Sequence, residues 1–228
     1  MKYNTFLFDL DGTLLDTNEL ILQSFLYTLN RFYPGKYTRE EILPVMGKPL
    51  LEQMRLFGPE RAEELVRVYR EYNLAMHDAL IREFPHVSQT VKELFLRGAK
   101  LGVVTSKQRL TTLMGLRYFG LENYFSAIIT MEDVKAHKPH PEPVLTALER
   151  LKAEKEEALM IGDSTFDLDA AHAAGVDAAA VAWSLKPLEL LRSCNPEYIL
   201  HDIRELLHLA TPLMNQRVAW GDSGTAGV

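Results

Sequence analysis

Thr5-Phe6-Leu7-Phe8-Asp9-Leu10-Asp11-Gly12-Thr13 is the stretch from which the rest of the chain is read. Its first residues are strand-forming and mostly apolar without a charged break, as expected of a strand buried on both faces. Side chains alternate along a strand, so Asp9 and Asp11 project to one side just as the strand ends. Gly12 then permits a sharp turn. Two carboxylates about 4 Å apart repel by about 4 kcal/mol at an effective dielectric of roughly 20. A core strand that ends in such a pair calls for a cation.

Beyond Thr13 the period changes from strand to helix. Leu20, Ile21, Phe25, Leu29 and Phe32 recur at three- and four-residue spacing behind a cap at Asp16 or Thr17, and Tyr33-Pro34-Gly35 ends the run. Thr38-Arg39-Glu40-Glu41 is a capping-box pattern, Met46-Gly47-Lys48-Pro49 a turn, and Pro49 to Leu56 a further helix. A longer helix carries Leu65, Val66, Tyr69 and Tyr72. Nothing from Asp16 to about Ile81 reads as strand, so residues 16–84 are expected to form an inserted helical cap.

From Val87 helices alternate with strands at Leu101–Val104, Ala127–Ile129, Ala158–Ile161, Ala178–Val181 and Tyr198–Leu200. That alternation predicts α/β architecture: a doubly wound parallel sheet with a Rossmann-like core over residues 1–15 and 85–210. Ligands on such sheets bind at the carboxyl ends of the strands. Residues 211–228, rich in Gly and Ser at their end, read as a flexible tail. Gly221-Asp222-Ser223 in that tail repeats residues 162–164 without a preceding strand or a following acid, and is set aside as a decoy.

The bulk properties narrow the partners. With 228 residues and 47% hydrophobic content the chain can bury a sizeable core. A net charge of −6 argues against nucleic acid or an anionic membrane as partner. Cys194 is the single cysteine and has no internal partner, no run is long enough to span a membrane, and Met1-Lys2-Tyr3 leads straight into a strand. A cytoplasmic location is expected, with the oligomeric state open and a monomer as the default.

Three strand ends carry groups capable of chemistry: Asp9 with Asp11, Thr105 with Ser106, and Asp163 with Asp167 four residues on. Lys138 lies in the Pro-rich loop before a helix. Four carboxylates along one sheet edge need a divalent cation and Lys138 as compensation. Oxygen-only ligands favour Mg²⁺, which takes its remaining ligands from water and phosphate. An aspartate is a competent nucleophile toward phosphorus and would form an aspartyl-phosphate. Simpler roles stay open for some of these: Thr105 and Ser106 as a helix cap, Asp167 as a first-turn helix acid, Lys48 as a solvated lysine. Lys107 and Arg109 read as surface charge.

Asp9-Leu10-Asp11-Gly12-Thr13, the strand end at Thr105, Lys138-Pro139 and Gly162-Asp163-Ser164-Thr165-Phe166-Asp167 together resemble the four motifs of the haloacid dehalogenase-like phosphohydrolase superfamily. The resemblance covers residues 1 to about 210. It implies Asp9 as nucleophile, Asp11 as general acid/base, Thr105 as a phosphoryl ligand and Lys138 as a bridge between nucleophile and phosphate. It also implies Mg²⁺ held by Asp9, the Asp11 backbone carbonyl and Asp163, with Asp167 in support. The second acid, Asp11, favours a phosphate ester or anhydride over a haloacid. Asp16–Ile21, Val45–Leu50, Met76–Asp78 and Asp133–Pro139 are similar to the Bacillus-type inorganic pyrophosphatases of that superfamily, which implies pyrophosphate as substrate. Phosphoglycolate or another small phosphomonoester is the neighbouring alternative. A non-catalytic phosphate-binding protein is the remote one, disfavoured by the presence of both Asp9 and Asp11. A compact anionic second phosphoryl group calls for a cation and backbone donors from the cap rather than an apolar pocket, with Gly47 and Lys48 as the candidates; Ser106, beside Thr105 on the core side, is a further substrate-binding candidate.

Overall fold

The computed structural model describes residues 2–47 and 49–211. Six parallel strands form the central sheet: β1 (Thr5–Phe8), β4 (Lys100–Val104), β5 (Ala127–Ile129), β6 (Ala158–Gly162), β7 (Asp177–Val181) and β8 (Tyr198–Leu200), in the order β5-β4-β1-β6-β7-β8. Each strand lies within a residue or two of its expected position. β1 sits inside the sheet with Phe6 opposite both Leu101 and Leu159. The chain builds outward on one side of β1 and then returns to build on the other, which opens the crevice at the carboxyl end of β1.

Period-2 alternation divides the core into two layers. Phe6, Phe8, Leu101, Val103, Leu159 and Ile161 pack with Val87, Val91 and Leu94 of α5 (Val87–Leu96) on one face. Leu7, Met160, Ala178 and Ala180 pack on the other with α7 (Glu142–Leu151) and α8 (Thr165–Ala174). α6 (Arg109–Tyr118), α9 (Leu188–Ser193) and α10 (Leu206–Leu209) complete the core's helices among the described residues. Fully burying a Leu or Phe is worth about 1.5–3 kcal/mol, so continuous apolar strands with both faces covered hold the sheet.

Between β1 and β4 the chain is helical: α1 (Asn18–Phe32), α2 (Arg39–Ile42), α3 (Leu50–Phe57) and α4 (Ala62–Leu80). These helices bury a third apolar cluster of their own, with Phe25 against Phe57 and Tyr69. The expected capping box of α2 is present at Thr38 and Glu41. One expectation needs correction. Asp16 belongs to a strand: β2 (Leu15–Asp16) pairs antiparallel with β3 (Arg82–Glu83), a two-residue ribbon where the helical segment leaves and rejoins the sheet. Two residues carry too little periodicity to be read as strand. No described helix is long and apolar enough to cross a membrane.

Candidate active site

The carboxyl ends of β1, β4 and β6 bring the expected residues together. Asp9 is the first residue past β1, and its amide extends the ladder to the Ile161 carbonyl at 2.9 Å. After Asp11 the chain doubles back: Gly12 takes φ 82°, its amide donates to Leu15 O, and Leu10 O accepts from Leu14 and Leu15. A side chain at position 12 would overlap the Asp163 carboxylate. Glycine there thus serves both the left-handed turn and the close approach of a second acid.

Asp163 follows β6, and Ser164 caps α8. Asp167 is the third residue of that helix and completes a capping box, its Oδ2 accepting from Ser164 N (3.0 Å) and Ser164 Oγ (2.7 Å). Its other oxygen accepts from Lys138 Nζ. The capping contacts and the contact with Lys138 therefore coexist on one side chain, and Asp167 is 1% exposed. Gly162 is required beside it, since a Cβ there would overlap the Asp167 side chain.

Lys138 arrives on the loop before α7, which Glu142 braces by accepting from the amides of Lys135 and Ala136 at 2.9 Å each. Its ammonium donates to Asp9 Oδ1 (2.7 Å), Val104 O (2.9 Å) and Asp167. All three donors of a buried cation are thereby satisfied. Burial alone would lower the Lys138 pKa, but the charges of Asp167 and Asp9 hold it above the ordinary ammonium value. Burial pushes the Asp9 carboxyl up to about 7 against the pull of Lys138, with Asp167 and Asp11 adding repulsion. Asp163 is raised well above a normal carboxylate for the same first reason, burial, and then by repulsion from Asp167 and Asp9.

Asp9, Asp163 and Asp167 each offer an oxygen within 4.8 Å of the others. Counting Asp11, four carboxyl groups face two ammonium groups, Lys138 and Lys107, so the acids outnumber the cations by two. No hydrogen-bond donor among the described residues reaches the Asp163 carboxylate. A buried oxygen-only set with that surplus fits a hard divalent cation.

Lys107 corrects the sequence reading. It is 12% exposed and its Nζ lies 2.7 Å from Asp11 Oδ1, inside the site rather than at the surface. Arg109 does pair away from the site, with Asp133. Thr105 is buried at the end of β4, where its Oγ1 accepts the Lys107 amide at 3.2 Å, so the turn-cap role and the site location coexist. Ser106 lines the same cavity.

That cavity, of about 250 Å³, is roofed by the helical segment. Gly47 lies on its wall at φ 106° and faces the Phe166 ring, whereas Lys48 lies outside the described residues. The tail copy at 221–223 also lies outside them. The roof is more apolar than a purely anion-binding pocket requires: Ile21, Leu43, Met46, Leu50 and Leu74 line it beside Asn18, Tyr69, Arg70 and Asn73. Burial, and then the nearby Asp11 charge, raise the Tyr69 phenol above its usual value. Lys186, on the loop after β7, reaches across to the carbonyls of Met46 (2.9 Å) and Leu43 (3.4 Å). Sequence reasoning passed over the α4 contribution. Its signal was a polar stripe at four-residue spacing, Tyr69-Asn73-His77, on a face that is otherwise core: all three are buried.

The haloacid dehalogenase-like hydrolase sequence pattern matches residues 6–181. Pyrophosphatase PpaX of Anoxybacillus flavithermus is 46% identical over 209 residues, covering 92% of this chain and 97% of that protein. Pyrophosphatase PpaX of Bacillus pumilus is 47% identical over 204 residues, covering 90% and 94%. Among solved structures, a haloacid dehalogenase-like family hydrolase from Streptococcus pneumoniae superposes with a TM-score of 0.81 at 26% identity, covering 91% of this chain and 98% of that one. A matched span that runs from β1 through the acids on Lys138 to the end of β7, with relatives aligned along nearly their full length, means that this chain belongs to the haloacid dehalogenase-like hydrolase family.

Proposed function

We propose that the protein hydrolyses inorganic pyrophosphate to phosphate through an aspartyl-phosphate on Asp9, with Mg²⁺ as cofactor. The carrying observation is the cluster of Asp9, Asp163 and Asp167 oxygens within 4.8 Å of one another, with the single ammonium of Lys138 bridging Asp9 and Asp167. The substrate follows from relatives of 43–47% identity that bear the name pyrophosphatase.

Lys138 holds Asp9 by Oδ1, which aims the remaining carboxylate oxygen at the cavity. That oxygen attacks phosphorus, an O–P bond forms as the bridging O–P bond breaks, and the departing phosphate takes its proton from Asp11. A water then attacks the same phosphorus, gives its proton to Asp11 and restores the Asp9 carboxylate. Thr105 and Ser106 bind the transferring oxygens, and Gly47 with Lys48 receives the distal group. Asp9, the Asp11 carbonyl and Asp163 would hold the cation, with Asp167 in support; when bound it offsets the charge that builds on the phosphoryl oxygens. Residues 16–84 act as the cap that excludes water from this chemistry.

Phosphate release from pyrophosphate, phosphoglycolate and p-nitrophenyl phosphate, with Mg²⁺ and after chelation, tests the proposal. Pyrophosphate should have the highest kcat/KM, and activity should vanish with chelator and return with added Mg²⁺. A wide preference for phosphoglycolate overturns the substrate, and full activity in chelated enzyme overturns the cofactor.

A further inference from the structure

Resting on that reading of the site, we propose that Arg70 is a further cap cation on the leaving phosphoryl group, in addition to the Lys48 assigned above, and that it sets a preference for phosphoryl donors whose leaving portion is itself an anion. Among the described residues of the helical segment that line the cavity, Arg70 is the one that carries a charge. The core's cations are already engaged. Lys138 spends its three donors on Asp9, Asp167 and Val104 O, Lys107 is held by Asp11, and Lys186 donates to the carbonyls of Met46 and Leu43.

Arg70 differs from them. Its neighbours one turn away on α4 are Val66, Arg67, Asn73 and Leu74, none of them acidic. The nearby Glu71 is taken by Arg67 at 3.0 Å. No acid among the described residues lies within ion-pair distance of Arg70, and its side chain is exposed. It stands at the mouth, lining both the catalytic cavity and the adjoining groove beside Pro49 and Met131.

The walls make that cation consequential. A phosphoryl group seated on Asp9 must extend its leaving half toward the cap, where Ile21, Leu50, Leu74 and Leu110 supply no compensation for charge. An anion there is poorly solvated, and a guanidinium can meet it with two parallel N–H···O bonds. A donor with an uncharged leaving group gains nothing from the same contact.

Kinetics of wild type, Arg70→Ala, Arg70→Gln and Arg70→Lys on pyrophosphate and p-nitrophenyl phosphate test this. For Ala and Gln, KM for pyrophosphate should rise roughly ten- to a hundredfold more than KM for p-nitrophenyl phosphate, the range of a charge-assisted contact. Arg70→Lys should recover part of the difference. Equal changes on both substrates, or none, overturn the assignment. If the wild type turns over p-nitrophenyl phosphate but not pyrophosphate, the substrate proposal has failed. Arg70 is then judged by the same ratio with phosphoglycolate, whose leaving group carries a carboxylate.

Discussion

Replacing Lys138 with Met keeps most of the side chain's volume and removes its charge. The side chains of Lys138, Asp9 and Asp167 are 5%, 9% and 1% exposed, so the substitution strands two buried carboxylates that already face Asp163. Breaking a buried pair from one side costs about 3–5 kcal/mol. In a chain of 228 residues that corresponds to a fall in Tm of roughly 6–20 °C, at about 2–4 °C per kcal/mol. The loss should also depend on pH. Burial already pushes Asp9 up to about 7, above the roughly 3.9 of an unfolded aspartate. A carboxyl raised by folding binds its proton in the native state first, so acidification from pH 8 toward pH 5 makes this group's contribution to stability more favourable. Without Lys138 the native value climbs further, and each additional native proton is worth about 1.4 kcal/mol per pH unit. The deficit of the variant should therefore shrink as the pH falls. Urea unfolding of chelated wild type and Lys138→Met at pH 8, 7 and 6, followed by circular dichroism, measures it. A deficit under about 1 kcal/mol at pH 8, or one that grows on acidification, refutes the buried-charge reasoning.

Asp9→Asn should lower turnover by orders of magnitude while leaving the circular dichroism spectrum intact; activity above about a tenth of wild type would remove Asp9 as nucleophile. Gly12→Ala forces a left-handed φ of 82° on a residue with a Cβ, at about 1–2 kcal/mol, and drives that Cβ into the Asp163 carboxylate. Its kcat should fall at least tenfold with only a modest drop in Tm, and an enzyme with wild-type kcat would contradict the packing. Lys186→Ala removes the donors to Met46 O and Leu43 O, so hydrogen exchange over residues 43–47 should speed up and KM rise; unchanged exchange there would mean that this contact does not hold the roof.

Local chemistry in the chain determines a great deal here. Strand positions follow from short apolar runs such as Leu7–Phe8 and Met160–Ile161, because a strand covered on both faces has no polar position to confuse its reading. The site acids are legible for a related reason: Asp9 and Asp163 come directly after strands, Asp11 and Asp167 lie within four residues of those two acids, and parallel strands deliver their carboxyl ends to one edge. Charges whose partners are distant in sequence are not legible. Lys107 looks like a surface lysine until the sheet sets β4 beside β1 and brings Asp11 to it across 96 positions. Lys186 likewise meets the Met46 carbonyl across 140 positions. Tyr69 and Asn73 sit in an amphipathic helix pattern that registers as core and Arg70 on its charged side, and folding α4 over the sheet is what sets all three on the cavity that Asp9 lines. Sequence periodicity encodes which face of an element is buried, but only the packing of elements against one another decides which charges a buried cavity shares.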